Sequence, residues 1–539
     1  MPPPDVLTIR DLTVALPGGG DRARAVDGVS FDLRRGEIHC VVGESGSGKS
    51  MLSYAVMGLL PLGLSATGHV AFEGRDLLAL DERAMRGIRG SRISMIFQEP
   101  MTALNPAYTV GNQLREVYRA HTSVTKREAR RRAEEVLRSV GLPDTARVLA
   151  SYPHQLSGGQ RQRVMIAMAL ALEPAVLVAD EPTTALDVTT QAQILALVSR
   201  LRRERGTGVL FITHDFGVVA EIADRVTVMR HGRIVESGPA REVLLHPQDA
   251  YTQALIAAVP RLRARAARPL ADTRVLTVSE ATKTHVESGR LFTRGRRVAA
   301  LKGVSLTLRV GETLGIVGES GSGKSTLARC LVRLDRIDGG VIEIDGADAS
   351  RATGGALKAM RRRIQMVFQD PYASLDHRRR VADILCEGPL NFGTSRAAAL
   401  DQARELIRRV GLPDSAAGRY PHEFSGGQRQ RICIARALSV RPDILVADEA
   451  VSALDVSVQR RILDLLEELK AAYDLSVVFI THDLRVAAEI CDHVAVMRAG
   501  EIVEYGTAHA VLTAQTTDYT RALVASIPGR DVFGDEASS

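Results

Sequence analysis

The stretch VVGESGSGKSM at residues 41–51 decides the fold of the N-terminal half of this 539-residue chain. It fits the pattern G-x-x-x-x-G-K-[ST], which starts at Gly43 and ends at Lys49 and Ser50. Glycines let the backbone curl so that successive N–H groups point at phosphate oxygens, and the helix that follows favours an anion at its positive end. The pattern therefore predicts a phosphate-binding loop in which Lys49 reaches the β- and γ-phosphates and Ser50 holds Mg²⁺.

A close copy of this loop, IVGESGSGKST, occupies residues 316–326, where Lys324 and Ser325 repeat the two roles. A chance glycine-rich turn is the alternative, but two matches that each follow an apolar run put its odds below about one in a thousand. We therefore predict two phosphate-binding loops. Their predicted nucleotide contacts are Gly43, Ser45, Gly46, Gly48, Lys49, Ser50 and Met51 in the first, and Gly318, Ser320, Gly321, Gly323, Lys324, Ser325 and Thr326 in the second.

Two acidic residues end a matching apolar run in each half of the chain. They are Asp180 and Glu181 after VLVADE, and Asp448 and Glu449 after ILVADE. The first acid of each pair stands where a strand-end carboxylate binds Mg²⁺ through water. The second acid is placed to orient or deprotonate an attacking water beside the γ-phosphate. These acids could instead only cap helices, but the phosphate loops upstream favour the chemical role.

Six landmarks recur in the same order in both halves. Gly43 and Gly318 are 275 residues apart, whereas Ser157 and Ser425 are 268 apart, as are three later pairs. This pattern indicates a duplicated domain of about 260 residues. We predict a first domain at 1–260, a linker at 261–273, a second domain at 274–528 and a C-terminal tail at 529–539.

Continuous apolar runs end in Gly or Asp at matching places of each half. GEIHCVVG, AVLVADEP and GVLFITHD in the first half correspond to GETLGIVG, DILVADEA and SVVFITHD in the second. Such runs are typical of strands buried on both faces, and hence of a parallel sheet with helices between its strands. Residues 101–155 and 372–423 are more helical and polar in pattern, which predicts an inserted helical subdomain in each half.

Composition and charge argue against several functional classes. The net charge is +7, but residues 1–260 carry 30 Lys and Arg against 28 Asp and Glu, so the excess does not mark a nucleic-acid-binding face. No run approaches the roughly 18–20 apolar residues of a membrane span, and no secretory signal is evident. The five cysteines are scattered and form no CxxC pair, which argues against a zinc or iron–sulfur site.

The segments LSGGQRQR at 156–163 and FSGGQRQR at 424–431 resemble the signature of the ATP-binding cassette (ABC) family, and the resemblance covers nearly the whole chain twice. It implies an α/β chain of two tandem P-loop NTPase domains of the ABC type. Each would have a mainly parallel core sheet, an antiparallel β subdomain and an inserted helical subdomain. It also implies a head-to-tail sandwich in which each ATP lies between the phosphate loop of one domain and the signature of the other. The signature residues implied to contact ATP are Ser157, Gly158, Gly159 and Gln160, with Ser425, Gly426, Gly427 and Gln428.

The same resemblance assigns roles to residues outside the loops. The implied metal ligands are Ser50, Gln98 and Asp180, with Ser325, Gln369 and Asp448. The implied catalytic residues are Glu181, Glu449, His214 and His482. The glutamines match a loop that senses Mg²⁺ and touches the membrane part of the transporter, and the histidines match a switch that contacts the γ-phosphate. Asp187 and Asp455 match a loop that communicates across the interface, and both sites carry the full set of residues.

The sequence departs from the family pattern in two places. Leu16 and His285 stand where the family usually stacks adenine on an aromatic side chain, which predicts weak base stacking and a looser preference for adenine. Arg378–Arg380 follow the second glutamine loop, in the region that docks the permease in the family. A partner-specific contact and a solvated arginine cluster are equally good interpretations of these arginines.

The segments SYPHQLSGGQRQR and FQEPMTALNP, with the tails HPQDAYTQALIAAVP and TTDYTRALVASIP, are similar to the branch of the family that imports peptides, dipeptides and nickel. This implies an ATPase subunit that uses ATP and Mg²⁺, peripheral to the cytoplasmic face of the inner membrane. Its implied partners are two transmembrane permease subunits and an extracytoplasmic solute-binding protein, with no nucleic acid. No cysteine cluster follows either tail, so no iron–sulfur cluster is predicted. The alternatives are a non-transport tandem ABC ATPase of the translation-factor type, a drug exporter ATPase, and an importer of nickel, glutathione or sugars.

Overall fold

A computed structural model of the chain describes residues 4–17, 22–183, 186–286, 297–452 and 454–533. The chain divides into two compact units. The first unit contains residues 1–259 together with 455–457 and 528–533, and the second unit contains the remainder from residue 260 onward. Residues 534–539 of the predicted C-terminal tail lie outside the described residues.

The first unit contains two sheets. Its strands are β1 (Asp5–Ala15), β2 (Arg24–Arg34), β3 (Ile38–Val42), β4 (Ser65–Phe72), β5 (Arg75–Asp76), β6 (Ile93–Ile96), β7 (Val176–Asp180), β8 (Gly208–Thr213), β9 (Arg225–Arg230) and β10 (Arg233–Pro239). The core sheet has the order β10-β9-β3-β8-β7-β6, and all its pairs are parallel except β9 with β10. The second sheet, β2-β1-β4-β5, is antiparallel.

Helices connect and cover these strands. They are α1 (Lys49–Met57), α2 (Glu82–Ile88), α3 (Pro100–Ala103), α4 (Val110–His121), α5 (Lys126–Ser139), α6 (Thr145–Ala150), α7 (Gly158–Leu170), α8 (Val188–Arg205), α9 (Phe216–Ile222), α10 (Ala240–Leu245) and α11 (Ala250–Ala257). Helices α3 to α6 form the predicted helical insertion between β6 and α7. Thr109 and Thr125 cap α4 and α5 by accepting hydrogen bonds from backbone amides in the first turn.

The second unit repeats this architecture. Its strands are β11 (Arg274–Val286), β12 (Arg297–Arg309), β13 (Thr313–Val317), β14 (Gly339–Ile344), β15 (Ala347–Asp348), β16 (Ile364–Val367), β17 (Ile444–Asp448), β18 (Ser476–Ile480), β19 (His493–Arg498) and β20 (Glu501–Thr507). The core sheet has the order β16-β17-β18-β13-β19-β20, and the antiparallel sheet is β12-β11-β14-β15. The predicted parallel core and helical insertion are therefore confirmed in both units.

The helices of the second unit follow the same order. They are α12 (Lys324–Leu331), α13 (Gly354–Arg363), α14 (Pro371–Ser374), α15 (Val381–Asn391), α16 (Arg396–Arg409), α17 (Gly426–Leu438), α18 (Val456–Tyr473), α19 (Leu484–Ile490), α20 (Ala508–Thr513) and α21 (Asp518–Ala525). The last described helix, α22 (Arg530–Phe533), belongs to the first unit and falls in the segment predicted as a tail. Among the described residues, no helix combines the length and apolar character needed to cross a membrane.

Both faces of the core sheet are covered, which explains why its strands are continuous apolar runs. In β3, Ile38, Cys40 and Val42 pack into the hydrophobic cluster on one face, and Val41 packs into the cluster on the other. Every residue of β3 is buried. The strand is therefore fixed on both sides, and the loop that follows it starts from a rigid point.

Candidate functional site

The phosphate loop of the first unit runs from the end of β3 to the start of α1. Gly43 has a φ of 152°, and a Cβ atom there would lie 2.2 Å from the carbonyl oxygen of Met229, so only glycine fits. The side chain of Lys49 is buried, and its Nζ donates to the carbonyl oxygens of Gly43 at 2.6 Å and Glu44 at 3.0 Å. The ammonium is thus held against the loop backbone.

The loop of the second unit has the same geometry. Gly318 has a φ of 148°, and a Cβ there would lie 2.2 Å from the carbonyl oxygen of Met497. Lys324 Nζ donates to the carbonyl oxygens of Gly318 at 2.7 Å and Glu319 at 2.8 Å. The predicted loop residues that are exposed to solvent, and hence open to a ligand, are Ser45, Gly46, Ser320 and Gly321.

A serine and an aspartate meet beside each loop. Ser50 Oγ donates to Asp180 Oδ1 at 3.2 Å, and Ser325 Oγ donates to Asp448 Oδ1 at the same distance. Both aspartates end buried strands, and burial raises the pKa of each to about 6. The sequence placed these four residues together, and the structure brings them into hydrogen-bond contact.

The residues around Asp180 fit a magnesium ion. Within the described part of the chain, Asp180 Oδ2 is buried without a hydrogen-bond partner. The nearby oxygens come from the Ser50 hydroxyl and the Asp180 carboxylate, which are hard ligands that Mg²⁺ prefers, and the Gln98 amide contacts the adjacent Glu181. In the described ranges, no three His, Cys, Asp or Glu side chains gather into a metal-binding group. Mg²⁺ usually keeps several waters and binds through one or two carboxylates and substrate phosphates, so the hydroxyl and carboxylate present here suit it.

Lowering the pH from about 7.5 to about 5.5 should weaken Mg²⁺ binding at Asp180 and Asp448 by about fourfold per site, because a group with a pKa of about 6 loses most of its ionised form over this range. Titrations of Mg²⁺-dependent nucleotide binding at the two pH values measure the effect. The control is the Asp180→Asn, Asp448→Asn variant, since protonation of the nucleotide affects both proteins alike. An equal pH dependence in parent and control would contradict the assignment.

A glutamate, a glutamine and a histidine form the next layer of the first site. Glu181 follows Asp180 with a φ of 48°, a left-handed conformation that is uncommon outside glycine and is found at functional sites. Gln98 Nε2 donates to Glu181 Oε2 at 3.1 Å, and His214 Nδ1 lies 3.2 Å from Glu181 Oε1. Burial alone would lower the pKa of His214, but the Glu181 carboxylate outweighs burial and raises it.

The second unit forms the same triad. Glu449 has a φ of 48°, Gln369 Nε2 donates to its Oε2 at 2.9 Å, and His482 Nδ1 lies 3.5 Å from that oxygen. Burial opposes ionisation of Glu449, but His482 and then Lys324 outweigh it and lower the pKa of the carboxyl. The glutamate is therefore held as a carboxylate, the form that can accept a proton from water.

The signature segments begin long helices. Ser157 precedes α7, where its Oγ accepts from the Gln160 amide at 3.3 Å and its own amide donates to Gln160 Oε1 at 3.2 Å. Ser425 and Gln428 form the same capping box at the start of α17. The glycines of these first turns are Gly158, Gly159, Gly426 and Gly427. Each segment thus presents the positive end of a 13-residue helix, and the two glycines of its first turn add no side chains there.

The positions predicted to face adenine differ between the units. Leu16 packs partly buried against the apolar core beside β1. His285 Nε2 lies 3.3 Å from the Oγ1 of Thr326, a predicted loop contact on α12. The imidazole therefore stands at the phosphate loop of the second unit, whereas the first unit presents an aliphatic side chain.

The three arginines after the second glutamine loop have different surroundings. The side chain of Arg378 is 91% exposed, whereas Arg379 pairs with Glu387 at 2.8 Å and Arg380 lies over the Tyr420 ring at 5.9 Å. Arg378 also pairs with Asp376, at 3.4 Å. A partner contact would rest on Arg378, because most of its side chain stays exposed despite this pair.

Sequence reasoning missed a tyrosine at each loop. Tyr251 on α11 donates its hydroxyl hydrogen to Glu44 Oε2 at 3.1 Å and accepts from the Glu44 amide at 3.3 Å. Tyr519 on α21 accepts from the Glu319 amide at 3.2 Å. The two tyrosines are 268 residues apart, the same spacing as the signatures, so their recurrence was a usable signal. They join each C-terminal helix to the phosphate loop of its own unit.

Comparison with known proteins identifies the family. The model described as ABC transporter matches residues 26–184 and again residues 301–452, which together exceed half of the chain. The chain belongs to the ABC transporter family. It is an ABC-type ATPase with two tandem ATP-binding domains. A second family model, the oligopeptide/dipeptide transporter C-terminal region, matches residues 235–292, which include Tyr251.

Two curated members of the ABC family resemble the chain along nearly its whole length. The peptidoglycan transport ATP-binding protein YejF of Agrobacterium fabrum is 46% identical over 97% of this chain and 96% of its own length. The glutathione import ATP-binding protein GsiA of Shigella dysenteriae is 46% identical over 97% of this chain and 90% of its own. The solved dimeric ATP-binding cassette MJ0796, bound to ADP and phosphate, is 30% identical and covers 43% of this chain and 98% of its own, with a TM-score of 0.39.

Proposed function

We propose that this ABC ATPase energises an importer of peptides or related small solutes. The observation that carries the proposal is the match of residues 235–292 to the oligopeptide/dipeptide C-terminal region, since it adds a peptide-importer feature to a general ATPase architecture. The names of the two relatives point the same way. Glutathione is a tripeptide, so the relatives favour peptide-containing solutes over nickel or sugars among the alternatives.

Each site holds the groups that ATP hydrolysis needs. Lys49 and Lys324 supply buried ammonium groups to the β- and γ-phosphates, and the backbone of the exposed loop residues would complete the cradle. Ser50 with Asp180, and Ser325 with Asp448, would hold Mg²⁺, and Gln98 and Gln369 could turn their amide oxygens toward it. When bound, Mg²⁺ neutralises charge on the triphosphate.

Hydrolysis requires a base that accepts a proton from the attacking water. Glu181 and Glu449 accept a proton from the attacking water. At Glu449 the lowered pKa keeps the carboxylate form that this role requires. His214 and His482 contact these carboxylates and fix their direction in the site. Catalysis in this arrangement is mainly positioning and charge stabilisation.

We propose that the signature of the opposite domain completes each ATP-binding site. Ser157 and Ser425 stand at helix N-termini suited to the far side of a γ-phosphate. Fusion of two domains in one chain makes their pairing intramolecular at high effective concentration. ATP binding would then close the pair and reorient the attached permeases, and hydrolysis would reopen it.

The proposed partners are two transmembrane permease subunits and an extracytoplasmic solute-binding protein, with the ATPase peripheral to the cytoplasmic face of the inner membrane. A strain that lacks the chain tests this proposal. Re-expression of the parent should restore uptake of labelled dipeptides or glutathione but not of sugars, and the affinity-tagged chain should co-purify with membrane permeases. Co-purification with ribosomes and unchanged peptide uptake would contradict the proposal and favour the translation-factor type.

A further inference from the structure

The segment predicted as a linker makes specific contacts within the second unit. The backbone amide of Arg265 donates to the Ala488 carbonyl oxygen at 2.8 Å, and its Nη1 donates to the Ile490 carbonyl oxygen at 3.1 Å. Its guanidinium also lies 3.0 Å from a Glu467 carboxylate oxygen on α18. Arg265 therefore binds the last carbonyl groups of α19, where a cation is favourable.

Arg268 binds the residue that follows this helix. Its Nε and Nη2 donate to the two carboxylate oxygens of Asp492, each at 2.7 Å, and Nη2 also donates to the Gly311 carbonyl oxygen at 2.6 Å. The Asp492 side chain is only 5% exposed. Burial opposes its ionisation, but Arg268 and the Thr313 amide outweigh burial and lower the pKa of Asp492. A bidentate arginine is the strongest kind of partner for such a carboxylate.

Asp492 connects two elements that end at the ATP site of this unit. Helix α19 begins two residues after His482 and ends just before Asp492. The Thr313 amide donates to Asp492 Oδ2 at 2.8 Å, and the Asp492 amide donates to the Thr313 carbonyl oxygen at 2.8 Å. Thr313 starts β13, whose other end is the phosphate loop. The Asp492 residue thus connects the end of α19 with the start of β13, the strand that leads to the phosphate loop.

The first unit satisfies the corresponding aspartate differently. Asp224 is bound by Arg202 of α8, whose Nη1 lies 2.8 Å from both carboxylate oxygens. The residue at the matching position of the second unit is Lys470, whose Nζ donates to Thr313 Oγ1 at 2.5 Å and stays 3.6 Å from Asp492. The second unit therefore has no internal arginine at this place, and the linker provides one.

We propose that Arg265 and Arg268 attach the linker to the second ATP-binding domain, and we call this pair of arginines with their contacts to α19 and Asp492 the clamp. Through α19, both arginines would act as positioning residues for His482. The proposal rests on the proposed role of His482 in ATP hydrolysis. The clamp replaces the guanidinium that Arg202 provides in the first domain. It holds the C-terminal end of α19, whereas the N-terminal end of this helix begins two residues after His482.

The test compares Arg268→Ala with Arg268→Ala, Lys470→Arg, in which an internal arginine is restored as in the first unit. Hydrogen exchange of the full chain should show opening of α19 about tenfold faster in Arg268→Ala, because a charged hydrogen-bond pair is lost. The second substitution should return the rate to near the parental value. Arg263→Ala, at an exposed arginine of the same segment, is the matched control and should change nothing.

Turnover in the complex with permeases gives the functional readout. In Arg268→Ala, kcat should fall by about tenfold with KM for ATP nearly unchanged, and Lys470→Arg should rescue it. Unchanged exchange in α19, or a loss that Lys470→Arg does not rescue, would overturn the clamp. If exchange in α19 were faster in Arg268→Ala and rescued by Lys470→Arg, but kcat of Arg268→Ala stayed at the parental value, the positioning role would be overturned. If the parent itself hydrolysed no ATP, the proposed function would fail, while the exchange data would still decide the clamp.

Discussion

Replacing Glu181 and Glu449 together with glutamine should abolish ATP turnover while ATP remains bound. Both carboxylates follow a strand-end aspartate in a left-handed conformation, and both contact the histidine and glutamine of their own unit. An amide has the same shape but only one acceptor oxygen, and it accepts no proton from water. Loss of a general base lowers turnover by about 10²–10⁴-fold. Phosphate release and retention of labelled ATP, both measured with the permeases present, provide the two readouts.

The chain offers a matched control for this substitution. Glu173 also has a positive φ, 51°, but its side chain is 56% exposed and pairs with Arg205 at 2.8 Å outside the site. Glu173→Gln should leave turnover near the parental rate. Parental turnover in the Glu181→Gln, Glu449→Gln variant would show that neither carboxylate is the base. If turnover is lost as expected, the two single variants show how the activity divides between the sites.

Replacing Lys49 or Lys324 with alanine should remove tight nucleotide binding from its own loop only. Each ammonium is buried at the loop and is held by two backbone carbonyls, so it is already placed for phosphate. A hydrogen bond to a charged group is worth about 1.5–3 kcal/mol, so the loss of contacts to two phosphates should lower the affinity by at least about 100-fold. Binding stoichiometry should decrease from two nucleotides in the parent to one in each single variant and none in the double variant.

Lys302→Ala controls for the loss of a positive charge. This lysine is 42% exposed and lies 3.7 Å from Glu501. Its removal should leave both nucleotides bound. Two tightly bound nucleotides in the Lys49→Ala, Lys324→Ala variant would instead mean that the loops do not bind the triphosphate through these side chains.

Local sequence patterns were sufficient for the core of each unit. The runs that became β3, β7 and β8 are apolar throughout because both faces of the sheet are covered, and the loop glycines are required by close approaches such as that of Gly43 to Met229. The Ser50–Asp180 contact could be predicted because both residues belong to motifs with a known mutual geometry. These predictions depend on short segments whose conformation is locally determined.

Contacts between distant segments could not be read from these patterns. Tyr251 reaches Glu44 across 207 residues, and nothing in a single helix pattern indicates which loop its hydroxyl meets. The clamp depends on Lys470 standing where the first unit has Arg202, a difference whose meaning appears only when Arg268 is seen beside Asp492. The domain boundaries and the pairing of opposite domains around ATP stay predictions.

A high-resolution structure of the Glu181→Gln, Glu449→Gln variant with Mg-ATP and both permeases would test the central claim most directly. We expect two ATP molecules, with Ser425 within hydrogen-bond distance of the γ-phosphate held by Lys49, and Ser157 equally close to the one held by Lys324. Two bound ATP molecules with both serines remote from every phosphate would contradict the account.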